Sequence, residues 1–451
     1  MQRLRFSSFT WILLSLFGLI SCRPEPPIEP VEPAEVAPLT DAEQVIADAL
    51  DGMVVPISST PFDITDTDLQ VLDYLAHTKI VGLGEATHGT REFFQMKHRV
   101  FQYLVEQHGF DAFLFEMDFA EAMLFDRWIQ GEIEGDLRSM MRDEMLFWTW
   151  KTDAVEDLYT WMRDYNQANP DKRIHLYGVD TQSPNYSLKE LLRRLELIMP
   201  TTADSVRFYI GSDYERMLDL YNSKDQIAAD RIQNSLEEVR KVIEEAKNAI
   251  IRSSSEEAYA WIERLVTHME QVEAHSYQYF VLGQGPLRDK YMADNTRWLS
   301  DQMPEGSQVA LWAHNYHVSN TFTGNLFNDS QGGYLRQRYQ DDYQIIGFGM
   351  NTGRFTAFNR GTLKTNTIPT VANRSSYNYL FSHMQNKNFI LRFDQVTSSD
   401  ADAWLRRAKP FLSLGAVYQA PASNYYYPII LTSMYDVLIY FDNTGSTLLI
   451  R

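Results

Sequence analysis

Three observations predict an α/β fold with a three-layer core, a mostly parallel sheet and a helical insertion. Short apolar runs of strand length recur along the chain. Amphipathic helical stretches separate most of them, the alternation typical of α/β domains. One long block with heptad-like spacing then interrupts that alternation.

Six runs read as strands: Lys79–Leu83, Ala112–Phe115, Ile174–Val179, Val309–Trp312, Tyr343–Phe348 and Phe389–Phe393. Their near-continuous apolar character fits strands covered on both faces. Between the first two, Phe93, Val100, Phe101, Leu104 and Val105 form one helical stripe that Gly109 ends. That connection is therefore strand–helix–strand, with Thr90 placed to N-cap its helix. The interrupting block carries Ile232, Leu236, Val239, Ile243, Ala246 and Ile250, then Ile262, Leu265, Met269, Val272, Ser276 and Tyr279. Steps of four and three predict two long antiparallel helices that turn between Ile251 and Ser255. His268 and His275, one heptad apart in the second helix, read as polar positions on one face. The insertion leaves after Asp180 and returns just before Arg288, so its base is expected beside the strand ends, where it would help to choose a substrate.

Composition narrows the function. The chain has 451 residues and a net charge of −19, which argues against nucleic acid and anionic membrane surfaces as partners. Aromatic residues make up 13%, enough for a large core and an aromatic-walled site. The single cysteine, Cys22, excludes disulfides, four-cysteine zinc sites and iron–sulfur clusters. Arg3 and Arg5 precede the short apolar run Trp11–Ile20, which reads as a secretory signal. Leu19-Ile20-Ser21-Cys22 has the form of a bacterial lipobox, so Cys22 is expected to carry a lipid after cleavage. The Pro- and Glu-rich stretch that follows reads as an extended tether. The expected organisation is a signal peptide over 1–21, a tether over 22–45, α/β core over 46–189 and 283–451, and the hairpin insertion over 190–282. The expected location is the bacterial cell envelope, on the periplasmic or outer-membrane face, with the membrane reached through the lipid on Cys22.

Parallel sheets place ligands beyond the carboxyl ends of their strands. The first strand runs into Gly84-Glu85-Ala86-Thr87-His88-Gly89-Thr90, and the second ends at Glu116-Met117-Asp118. The third ends at Asp180, and the fourth at His314-Asn315-Tyr316-His317. Acids and histidines thus collect along one edge. A histidine of near-neutral pKa can take a proton from water, and a carboxylate on its other nitrogen fixes the tautomer. His88 is the candidate base, with Glu85 and Glu116 as orienting acids. The sequence has no Gly-x-Ser-x-Gly, no His-Glu-x-x-His and no phosphate-binding Gly-x-x-x-x-Gly-Lys. Glu116 with His314 and His317 leaves metal ligation open as an alternative.

The run Gly84-Glu85-Ala86-Thr87-His88-Gly89, followed by Glu92, Phe93 and Lys97, resembles the signature of the erythromycin esterase family. Further landmarks agree in order: Gly109-Phe110, Phe147-Trp148-Thr149-Trp150-Lys151, Tyr177-Gly178-Val179-Asp180, Arg288-Asp289, Asn295, Trp298 and Trp312-Ala313-His314-Asn315 with His317. The resemblance spans roughly residues 75 to 355. It implies hydrolysis of a lactone or ester by a histidine-activated water, without metal or other cofactor. His88 would be the base, oriented by Glu85 and Glu116. His314 and Arg288 would bind the reacting carbonyl. His317, Trp148 and Asp180 would face the substrate. The wider superfamily also holds haem- and iron-binding proteins, which keeps a metal- or haem-binding envelope protein as the alternative.

Overall fold

The computed structural model describes residues 38–324, 328–368 and 373–451. The expected signal, the expected lipobox at Cys22 and the expected tether up to residue 37 lie outside the described residues; the tether's expected last residues fall instead in the helix Asp41–Asp51, which Thr40 caps. The strands are β1 (Val55–Pro56), β2 (Ile80–Leu83), β3 (Ala112–Asp118), β4 (His175–Asp180), β5 (Val309–Trp312), β6 (Tyr343–Asn359), β7 (Thr362–Ile368), β8 (Asn388–Arg392), β9 (Lys409–Leu412), β10 (Tyr426–Ile429) and β11 (Val437–Thr444).

Among the described residues one large sheet runs β1-β8-β11-β6-β2-β5-β3-β4, with β7 paired to β6. Its centre is parallel: β11, β6, β2, β5, β3 and β4 all point the same way. The additions at β8, β1 and β7 are antiparallel. Every residue of β2, β3 and β5 is buried, as expected for strands covered on both faces. Alternate side chains feed two cores. Ile80, Ala112, Leu114, Val309 and Leu311 pack with the helical insertion. Val81, Leu83, Phe113, Phe115, Ala310 and Trp312 pack with the helix Arg91–His108. The molecule is therefore an α/β three-layer fold with helices on both faces.

Where the structure departs from the sequence reading, the cause is local. Strand β6 continues to Asn359, well past Phe348. Thr90 occupies the N-cap of Arg91–His108, but its hydroxyl gives no capping bond and pairs with Thr87 at 3.1 Å instead. The hairpin helices are Gln226–Ser253 and Glu256–Ser276. Ile232, Leu236, Val239, Ile243 and Ile250 face Ile262, Leu265, Met269 and Val272 in the buried seam. The seam stops at Ser276, because residues Tyr277–Val281 widen into a π-helical turn that leaves Tyr279 48% exposed. No described helix is long and apolar enough to cross a membrane.

One buried acid ties the insertion to the core. Glu190 accepts from Arg127 Nη1 at 2.7 Å, from Arg193 at 2.7 Å through both Nε and Nη2, and from Arg194 Nε at 2.8 Å. Burial alone would raise its pKa, but Arg193, Arg194 and Arg127 outweigh this and hold it at about 2. A depressed acid stabilises the fold above its unfolded pKa, and that stability fades as pH falls through the folded value. Glu190→Gln should therefore cost about 2 kcal/mol near neutral pH. The difference from wild type should shrink between about pH 4.5 and about pH 2. Thermal melts of both proteins across that range check it; a pH-independent gap would refute the assignment.

Candidate active site

The carboxyl ends of β2, β3, β4 and β5 meet at one edge of the sheet, and the turn after β2 carries its central histidine. That turn is clamped by distant segments. Glu85 O accepts from Asn315 N at 2.9 Å, and Gly89 O accepts from Thr356 N at 2.9 Å and Thr447 N at 3.0 Å. A Cβ on Gly84 would lie 2.2 Å from Asn315 Oδ1, and one on Gly89 would lie 1.9 Å from Thr356 O. Both positions therefore need glycine for the close approach, not merely for a bend.

Within this turn His88 Nδ1 lies 2.6 Å from Glu85 Oε1. Glu85 has no solvent exposure. Its other oxygen accepts from Trp312 Nε1 at 2.8 Å and from the buried ammonium of Lys97. Burial would raise the Glu85 pKa, but Lys97 and then His88 overcome it and keep the carboxylate ionised. Burial in turn pulls Lys97 down to about 8, against the pull of Glu85. The Lys97 ammonium also sits 4.1 Å from the Trp312 ring centre, a cation–π contact. An ionised Glu85 holds the Nδ1–H tautomer of His88 and leaves Nε2 as the free base. Among the described residues Nε2 has no protein partner, and the side chain is 13% exposed.

The second cluster is built around Arg288. Its guanidinium donates to Asp180 at 2.7 and 2.8 Å and to Glu116 Oε1 at 2.6 Å. A further bond of 2.8 Å runs from Nη1 to His317 Nε2. Because a guanidinium only donates, His317 Nε2 accepts and its Nδ1–H points to Asp289 Oδ1 at 2.7 Å. Burial disfavours the protonated His317, but Asp289 and Glu116 lift its pKa above the ordinary value. Burial would also raise Glu116, yet His317 and Arg288 hold it well below the usual carboxylate range. The remaining oxygen of Glu116 accepts the backbone N–H of His314 at 2.8 Å.

The structure thus gathers His88, Glu85, Glu116, Arg288, His314 and His317 at one edge, but it divides their tasks. The His314 ring lies 5.1 Å from that of His88. Both its nitrogens are used: Nε2 donates to Leu414 O at 2.9 Å and Nδ1 accepts Tyr316 N at 3.3 Å. Burial and the two neighbouring histidines push it down to about 3, so it stays neutral. Asp180 is fully buried and its oxygens are taken up by Arg288, Thr181 N and Gln182, so it holds Arg288 and does not face a substrate. Trp150, not Trp148, stands edge-on to His88 at 5.9 Å; half-buried Trp148 packs on Phe358. Glu116, His314 and His317 do not make a metal set, because the oxygens of Glu116 and the nitrogens of His314 are already engaged. Among the described residues no group of three His, Cys, Asp or Glu is arranged to hold a metal ion.

Lys97, Asp289 and Trp312 belong to the site although the sequence offered them no task. Lys97 carried a signal. It falls between Phe93 and Phe101 on the apolar stripe of its helix, where an unpaired ammonium would be costly.

A buried acid–histidine pair therefore lies beside a clamped arginine at the strand ends of a parallel sheet. The sequence profile of the erythromycin esterase family matches residues 105–444. The chain belongs to that family and is a hydrolase of it. The match reaches further toward the C-terminus than the motif reading did, and it begins after the Gly84–Gly89 turn. Erythromycin esterase type II of Escherichia coli is 26% identical over 66% of this chain and 76% of its own. The putative hydrolase YbfO of Bacillus subtilis is 23% identical over 87% and 90%. A crystal structure of a Bacillus cereus protein shares the fold, with a TM-score of 0.78 at 23% identity over 91% of this chain and all of that one.

Lys97→Met should leave Glu85 buried without its cation, and breaking such a pair costs about 3–5 kcal/mol. The double variant Lys97→Met/Glu85→Gln should regain much of that stability. Denaturant unfolding measures both, and a Lys97→Met protein as stable as wild type would contradict the pairing.

Proposed function

We propose that this hydrolase cleaves a lactone or ester with a water activated by His88, and that the reaction uses no metal. The observation that carries the reading is the 2.6 Å contact from His88 Nδ1 to the ionised, buried Glu85, which leaves Nε2 open. In the proposed cycle Nε2 takes a proton from water as the oxygen attacks the carbonyl carbon. Glu85 stabilises the imidazolium that forms. The C–O bond to the leaving alkoxide then breaks, and the imidazolium returns its proton to that oxygen. Arg288 is the fitting donor for the tetrahedral oxyanion. Its Nε, its Nη2 and one bond of Nη1 are committed to protein, and the second Nη1 hydrogen remains for the substrate. His314, which the family resemblance also assigned to the carbonyl, acts in this reading through its ring position and its backbone N–H. A positive Arg288 at this place would also oppose a metal cation.

His88→Asn should lower turnover of susceptible esters by about two to four orders of magnitude, the loss expected for a general base. The assay is a panel of lactones and acyl esters, with and without chelator; full turnover by the variant would remove His88 from the role.

The sequence also supports envelope anchoring through Cys22. Expressed in bacteria, the protein should partition into detergent and carry acyl mass on an N-terminal peptide beginning at Cys22. Cys22→Ala should abolish both. A wild-type protein that remains wholly aqueous would overturn the anchor.

A further inference from the structure

The hairpin insertion contributes two histidines that the proposed chemistry does not use, His268 and His275, and the first reaches the end of a sheet strand. His268, on the helix Glu256–Ser276, has no solvent exposure, so it is not a polar position on an outer face. Its ring stacks on Phe119 with centres 5.3 Å apart and planes 23° apart. Nε2 lies 2.8 Å from the backbone oxygen of Asp180, and Nδ1 lies 2.7 Å from Ser187 Oγ. A carbonyl oxygen only accepts, so Nε2 donates to it. Nδ1 must then accept the Ser187 hydroxyl. Burial pushes the ring down to about 4, which keeps this single tautomer across the neutral range.

The residue at the other end of that bond holds the site together. Asp180 is the last residue of β4, and its carboxylate takes two bonds from Arg288. Its main-chain oxygen is shared by His268 and Phe119 N, the latter at 3.1 Å. The preceding residue is held as well, since Asn295 Nδ2 donates to Val179 O at 2.8 Å. Ser187 lies in the first turn of the helix Pro184–Ile198 that leads into the insertion, and His268 lies on the insertion's helix Glu256–Ser276. One ring therefore fastens both helices to the strand end whose side chain holds Arg288.

We propose that His268 is a positioning residue: through Asp180 it sets the place of the Arg288 guanidinium, so that the insertion shapes the reaction as well as the fold. The catalytic part of this inference rests on the hydrolase reading above; the placement of Arg288 does not. His268 touches no reacting atom. It acts by fixing the backbone from which the Asp180 carboxylate reaches Arg288. Misplacing such a charge by a fraction of an ångström weakens stabilisation that is needed only in the transition state.

The test uses His268→Phe, which keeps the ring on Phe119 but removes both polar bonds, and His268→Gln, which restores a donor toward Asp180 O. Ser187→Ala is the milder companion should the phenylalanine variant fail to fold. The first readout needs no substrate: the Nε–H resonance of Arg288 in ¹⁵N spectra, assigned with Arg288→Lys, and its exchange with water. It should shift and exchange faster in His268→Phe, move the same way but less in Ser187→Ala, and return in His268→Gln. The second readout is hydrolysis, where kcat should fall about tenfold to a hundredfold in His268→Phe with KM changed far less, and the glutamine variant should recover most of it. A folded His268→Phe, or failing that Ser187→Ala, with an unaltered Arg288 resonance overturns the proposal, whatever its rate. Equal loss in the phenylalanine and glutamine variants also overturns it. If the resonance moves as expected while wild-type protein hydrolyses no ester in the panel, the positioning stands and the hydrolase reading fails.

Discussion

A carboxylate sealed from water must be balanced inside the protein or give up its charge, and Glu85 is balanced by Lys97. Much else follows from that buried pair. Lys97 can reach Glu85 because the helix after β2 runs back across the sheet with this one cation on its apolar face. Trp312 serves the pair twice, by its indole N–H on Glu85 and its ring against the ammonium. The product of the arrangement is a fixed histidine tautomer. His88 needs no further protein partner for its outer nitrogen, because the inner one is already committed.

The Arg288 cluster follows the same logic with the sign reversed. Here a buried cation is surrounded by Glu116 and Asp180, and His317 fills its fourth side. Glu116 and Asp180 sit near strand ends and Arg288 opens a helix, so the sheet sets much of their spacing. Two charge clusters, one after β2 and one at the ends of β3 and β4, stand on a rigid parallel sheet with β5 between them. His314 lies between them, its ring held in place by Leu414 O and Tyr316 N.

Much of this was legible in the sequence. The six strand runs, the crossover helix and the heptad seam rest on periodicity, and all six runs fall on observed strands. The strand-end residues gathered at one edge as the parallel order demands. What escaped has physical reasons. Strand β6 runs on past Phe348 through Gly349, where the missing side chain leaves room for the rings of Phe411 and Tyr440. Strand β7 exposes Thr362, Lys364, Thr365 and Thr367 and carries few apolar residues, as an edge strand does, and so gives little signal. Strand β11 is strongly apolar but lies in the part of the chain that the motifs did not organise. Asp180 looked like a substrate contact since nothing in its neighbours along the chain shows that Arg288, 108 residues later, claims it. Pairings between distant residues are the part that composition and spacing do not encode.

The clamp on the His88 turn has a consequence for how the molecule is made. Gly89 O is held by Thr356 and Thr447, and Arg91 N by Gly445 O, so the turn is finished by residues that leave the ribosome some 350 positions after it. Leu414, which fixes His314, arrives 100 residues after its partner. The contacts that place the His88 turn and the His314 ring are complete only when the C-terminal segments are in place. A chain shortened within its last dozen residues would keep most of its core while losing the contacts that align His88.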